Sequence, residues 1–168
     1  MSVRKSAPRS RFAKQPHYYS CGPTAILNAM KWVGYPAAIK YEYADLVDIC
    51  NADPNGTNIP VFDRVLREHV GRSAWIKRRY RPKFSDVERW IKDPIQIVIL
   101  CYWHTSSDYS DGHYMILTEG ILDGAFFHVV NDGLSVMLRD RERIKRYVRN
   151  RSRASWKLPI AWFIRAKT

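Results

Sequence analysis

The chain has 168 residues, enough for one domain to bury a core without disulfide staples. Its hydrophobic fraction of 46% and its six tryptophans exclude a disordered chain. No stretch approaches the roughly 18 apolar residues of a membrane span, and the first residues have no apolar signal region, so neither membrane insertion nor export is expected. Three cysteines, an odd number, argue against a disulfide framework and fit a reducing, cytoplasmic setting. The net charge of +12 is unevenly spread. Residues 1–14 form a basic N-terminal arm with five cations (Arg4, Lys5, Arg9, Arg11, Lys14) and no acid. Residues 139–153 hold eight cations against Asp140 and Glu142. Such clusters suit nucleic acid or an acidic partner, or else a solvated surface; no known nucleic-acid-binding motif accompanies them.

In chain order, residues 15–168 read as a single domain. Apolar residues at Cys21, Ala25, Ile26, Ala29, Met30 and Val33 predict a helix with one inward stripe, capped by Ser20 and closed by Gly34. Two further helices are expected at about 41–50 and 60–70, the second ended by Gly71, with the turn-rich loop NADPNGTN between them. A short helix is expected to start at Ser85-Asp86-Val87-Glu88, which has capping-box spacing. The apolar run Ile95–Trp103 reads as a central strand. Runs at about 112–122 and 125–131, joined by Asp123-Gly124, read as a hairpin. A basic helix at about 140–150 and a strand at 160–165 complete an α+β chain whose strands are antiparallel.

The segment Gln15–Ala25 carries the clearest chemistry. Cys21 stands at a helix start, where the dipole and first-turn N–H groups favour thiolate. Gln15, six residues earlier, can donate to an oxyanion, and Pro23 fits the first turn. The base must come from elsewhere. Among five histidines, His113 opens a strand directly after a polar loop, a place where a side chain can face a cleft. If Asp123-Gly124 is a two-residue turn, His113 lies opposite Leu134, and Asp132, not Asn131, shares its face; Glu119 then pairs with His128. Cys50 and Cys101 sit in apolar patterns expected of inert thiols. No CxxC, HxxxH or HExxH spacing appears, so neither a metal nor another cofactor is expected.

Gln15-x5-Cys21-Gly22-Pro23-Thr24-Ala25, then Gly112-His113-Tyr114-Met115-Ile116-Leu117, then Val129-Val130-Asn131-Asp132-Gly133, resembles the papain-like cysteine peptidases. The likeness is to the branch of bacteriocin-processing, double-glycine-leader peptidases and their stand-alone relatives, and it spans about residues 15–135. It implies a papain-like fold, with the catalytic cysteine at a helix start packed on an antiparallel sheet. It also implies roles: Cys21 as nucleophile, His113 as base, Asp132 orienting the imidazole, and Gln15 with the Cys21 N–H holding the oxyanion. Gly133 stands where relatives usually have proline, and no transporter segment is attached, so leader export is not implied. The function expected is hydrolysis of peptide or amide bonds in a protein or peptide substrate through a thioester. The alternatives are a transglutaminase, deamidase or isopeptidase on the same scaffold, or a basic binding protein with the same fold. Tyr19 and Trp103 are candidate cleft walls for substrate.

Overall fold

A computed structural model describes residues 12–17, 19–34, 43–103, 112–121, 126–132, 135–149 and 158–167, with the backbone alone for 119–121, 126–132 and 135–139. The helices are α1 (Cys21–Trp32), α2 (Tyr43–Ile49), α3 (Ile59–Val70), α4 (Phe84–Trp90) and α5 (Arg141–Arg149). The strands are β1 (Ala74–Tyr80), β2 (Gln96–Trp103), β3 (Gly112–Ile121), β4 (Phe126–Asp132), β5 (Ser135–Asp140) and β6 (Ile160–Ala166). They form one antiparallel sheet in the order β1-β6-β2-β3-β4-β5, as an α+β domain requires. None of the described helices is long and apolar enough to cross a membrane.

Strand alternation sorts the core into two layers. Ile97, Ile99, Cys101, Trp103, Tyr114, Ile116, Ile160, Trp162 and Ile164 face α1 and α3. Val98, Leu100, Tyr102, Met115, Leu117, Ala161 and Phe163 face α4 and α5. β2 and β6 are buried on both sides because they are central, so they read as continuous apolar runs.

α1 differs from the single inward stripe expected of it. Every residue from Cys21 to Met30 is buried, including Asn28. The Asn28 amide pins the chain entering the helix: Oδ1 accepts from the Ala13 N–H at 2.7 Å, and Nδ2 donates to the Ala13 carbonyl at 3.1 Å. Phe12 and Ala13 pack on the same core, while residues 1–11 of the basic arm lie outside the described residues. α1 closes at Gly34, whose φ of +70° suits glycine.

Two expected caps are corrected. Ser20 makes no side-chain bond to the first turn of α1. Its Oγ instead donates to the His17 carbonyl at 2.7 Å and accepts from the His17 N–H at 3.2 Å, so it braces the turn before the helix. The capping box at Ser85 is also absent: α4 starts one residue earlier, with Lys83 as a cap that has no side-chain bond. α3 does follow its sequence signals, with Asn58 Oδ1 accepting from the Val61 N–H at 3.0 Å and Gly71 at the end.

Candidate active site

Cys21 is the first residue of α1 and only 3% exposed. Three features shape its surroundings. Pro23 has no N–H and Ser20 bonds away from the helix, so no side-chain cap occupies the first turn. Gly22 lets Thr57 close over that turn: a Cβ at residue 22 would sit 2.8 Å from Thr57 Cβ and Oγ1. Thr57 is held in turn by β3, through a buried bond from the Tyr114 hydroxyl to its carbonyl at 3.0 Å. Beneath lie Cys101 and Tyr114, cross-strand partners on β2 and β3. Cys21 is close enough to help raise the pKa of both, and of Tyr43 in α2.

Burial sets the ionisation of these neighbours. It pushes the Cys101 thiol and the Tyr114 and Tyr43 hydroxyls above their ordinary values, with the nearby sulfurs adding to each shift. Burial also pushes the Cys50 thiol up to about 12. Cys50 and Cys101 are thus held protonated, as their apolar patterns led one to expect.

Gln15 is buried at 4% exposure, and its Nε2 donates to the His17 carbonyl at 2.7 Å. The same carbonyl accepts from the Ser20 N–H at 3.1 Å and from Ser20 Oγ. The turn at residues 17–20 therefore ties the amide to the backbone that delivers Cys21. Tyr19 is half-buried and stacks on His17, with centroids 5.4 Å apart. Trp103 ends β2 opposite Gly112, where its indole crowds the glycine: a Cβ would meet Nε1 at 3.2 Å, so the ring would have to shift by a few tenths of an ångström.

His113 is the second residue of β3, pairs with Tyr102, and packs edge-on against that ring at 5.7 Å. Its register with β4 departs from the expected one. Near the turn, Ile121 faces Phe126 and Gly120 faces Phe127, as a two-residue connection requires, although residues 122–125 lie outside the described ones. Then Leu117 faces Val129, so Thr118 and Glu119 both stand opposite His128. This bulge shifts the ladder by one residue. Glu119 thus shares its expected place opposite His128 with Thr118, while Leu134, expected opposite His113, lies outside the described residues.

A second bulge compensates. Val129 faces Met137 but Asp132 faces Ser135, so Val130 and Asn131 together oppose Val136. Met137 and Ser135 share a face, so Val129 and Asp132 do too; Val129 matches Leu117, which matches His113. Asp132 and His113 therefore hold register positions of one parity, reached through two irregularities rather than none. That parity belongs to the α4–α5 layer, whereas Cys21 lies in the α1–α3 layer. The two halves of the candidate site sit at one end of the sheet on opposite faces of β3. Tyr43 and Thr57 around Cys21 were not singled out from sequence, and Cys101 and Tyr114 were named there without a place beside Cys21; Tyr114 had a signal, since the residue after a strand-opening histidine takes the opposite face. Among the described residues, no three His, Cys, Asp or Glu side chains cluster as metal ligands would.

No family model and no curated protein matches the chain. Solved structures do. A double-glycine-motif protease from an AMS/PCAT transporter, determined in complex with the leader peptide, superposes with a TM-score of 0.63 at 13% identity, covering 98% of this chain and 96% of that one. The peptidase domain of Streptococcus ComA, a bifunctional ABC transporter involved in a quorum-sensing pathway, gives 0.63 at 11% identity, covering 92% and 97%. The peptidase domain of Streptococcus mutans ComA gives 0.52 at 11%, covering 92% and 98%. The chain thus has the papain-like α+β fold of these double-glycine peptidase domains.

Proposed function

We propose that the protein is a cysteine peptidase that cleaves peptide or amide bonds through a thioester on Cys21. The observation that carries this reading is the environment of Cys21: a thiol at the first residue of a buried helix whose first turn is left uncapped by side chains. The likeness of fold to double-glycine peptidase domains supports it. So does the protonated state of Cys50 and Cys101, which leaves Cys21 as the thiol placed for chemistry.

His113 takes the Cys21 proton, and the thiolate attacks the substrate carbonyl. The resulting oxyanion is held by the Cys21 backbone N–H and by the Gln15 amide, which carries a second N–H besides the one given to His17. His113 returns the proton to the leaving amine, and water then hydrolyses the thioester to a carboxylate and free thiol. Asp132 orients the imidazole from the neighbouring strand. The His113 ring packs edge-on against Tyr102 on the opposite face, so this step requires the imidazole to turn around the start of β3 toward Cys21. Tyr19 and Trp103 wall the cleft, and a protein or peptide is the substrate.

The test is a peptide-like thiol electrophile followed by mass mapping of the adduct, with analysis of products from a peptide library. A single adduct at Cys21 and new amino termini are expected. Modification at Cys50 or Cys101 instead would end the assignment. Ammonia release without new termini would point to deamidation or transamidation on the same scaffold.

A further inference from the structure

The face of the sheet away from Cys21 has chemistry that the peptidase reading does not use. A cleft of about 1160 Å³ lies between the segment after β1 and helix α5, lined by Arg81, Lys83, Arg141, Lys145 and Arg149. Its one acidic lining residue, Glu88, is already taken by Arg141, which approaches it through Nε and through Nη2 at 3.0 Å. Lys145 pairs with Glu142 at 3.0 Å. Among the described residues, Arg81, Lys83 and Arg149 have no carboxylate within 4.0 Å. Converging uncompensated cations repel one another, and an anionic ligand relieves that repulsion.

The charge continues along the edge of the sheet. Trp75, Lys77 and Arg79 face Arg165, Phe163 and Ala161 of β6, so they project to the α4–α5 side of β1 at about 6.6 Å spacing. Arg79 is partly neutralised by Asp86 at 2.9 Å, whereas Lys77 has no such partner among the described residues. Past the strand, Arg81 adopts a φ of +48°, an uncommon conformation for a residue with a side chain. Its N–H is fixed to the Pro159 carbonyl at 2.8 Å, and this turn brings the row into the cleft. At the other end, Trp75 is 67% exposed, with Lys167 Nζ over its ring at 4.9 Å.

We propose that this face binds single-stranded nucleic acid without regard to sequence, its phosphates entering the cationic cleft and a base stacking on Trp75. The exposed indole favours a nucleic acid strand over an acidic peptide: every base has a π face to stack, and acidic side chains have none. Phe84, the aromatic residue of the cleft, lies under the Arg141 guanidinium at 4.9 Å, so the cleft reads backbone phosphate and not bases. The proposal is independent of the peptidase reading, since no residue lining the cleft takes part in that mechanism.

The test is fluorescence anisotropy with the full chain and a labelled oligouridylate of about 15 nucleotides. With about four or five phosphates neutralised, the logarithm of affinity should fall against the logarithm of salt with a slope of about −3. Lys83→Glu with Arg149→Glu should weaken binding by more than about tenfold, the milder Lys83→Gln with Arg149→Gln by less, and Trp75→Ala by about tenfold. Circular dichroism on each variant confirms the fold, and the glutamine pair keeps the test open if the glutamate pair does not fold. A glutamate-rich peptide should not displace the oligonucleotide. No binding at low salt, or binding that none of these substitutions moves, overturns the proposal. Displacement by the acidic peptide, with Trp75→Ala unchanged, also overturns it and makes the face a docking site for acidic protein.

Discussion

The two layers of this sheet are built from opposite materials. Around Cys21, the α1–α3 layer collects groups that burial keeps neutral: Cys50, Cys101, Tyr43 and Tyr114. The α4–α5 layer ends instead in a cleft rimmed by arginine and lysine, where burial is slight and charge survives. One sheet separates them, and alternation along β1, β2, β3 and β6 decides which residue goes where. Burial thus holds the thiols and hydroxyls of one layer protonated, while exposure leaves the cations of the other layer charged.

Substitutions can break or sharpen that contrast. The largest effect expected is from Cys21→Ala, which should abolish turnover of a cleavable peptide in a fluorescence assay. Full activity would remove the α1–α3 layer from the chemistry altogether. Gln15→Ala should leave a trace, lowering kcat on the order of 10²–10³-fold through loss of one oxyanion donor. A change confined to KM would instead assign Gln15 to substrate binding.

A third prediction concerns alkaline pH. The Cys50 thiol is raised from 9.0 to about 12 in the folded state. The native protein therefore keeps a proton that the unfolded chain releases above about pH 9. The associated stability is complete below pH 9 and falls as pH rises toward 12, by up to about 1.4 kcal/mol per pH unit. Urea midpoints measured between pH 8 and 11 should show this decline, and Cys50→Ala should lessen it, leaving the part due to Cys101, Tyr114 and Tyr43. An unchanged slope would mean that the thiol is not shielded.

The smallest effect expected is from Tyr114→Phe, which removes the buried bond to the Thr57 carbonyl and should cost about 1–2 kcal/mol in urea unfolding. If Thr57 is what closes the site over Gly22, the same substitution should also change the rate at which Cys21 is alkylated.

How much of this could be seen in advance depended on which force fixes each element. α1, α3, β2 and β6 were legible because burial writes long apolar patterns. β1 and β5 were not anticipated. In β1, the run Ala74–Tyr80 has three cations among seven residues and an exposed tryptophan, a composition tolerated because the strand lies at the sheet edge. The cap expected at Ser20 failed because its hydroxyl found nearer partners in His17. At Ser85, a local spacing rule lost to a helix that begins with the buried Phe84.

By itself the sequence determined that a cysteine would open a buried helix and that a histidine and an acid would follow on adjacent strands. Those facts are local, set by apolar period, proline and turn chemistry. Only the tertiary structure decided the rest. Two bulges, one in β3 and one in β4, set the common parity of His113 and Asp132, because register depends on how two strands meet and not on either alone. Likewise the cationic cleft forms only when the segment after β1 is brought against α5, about sixty residues further along the chain.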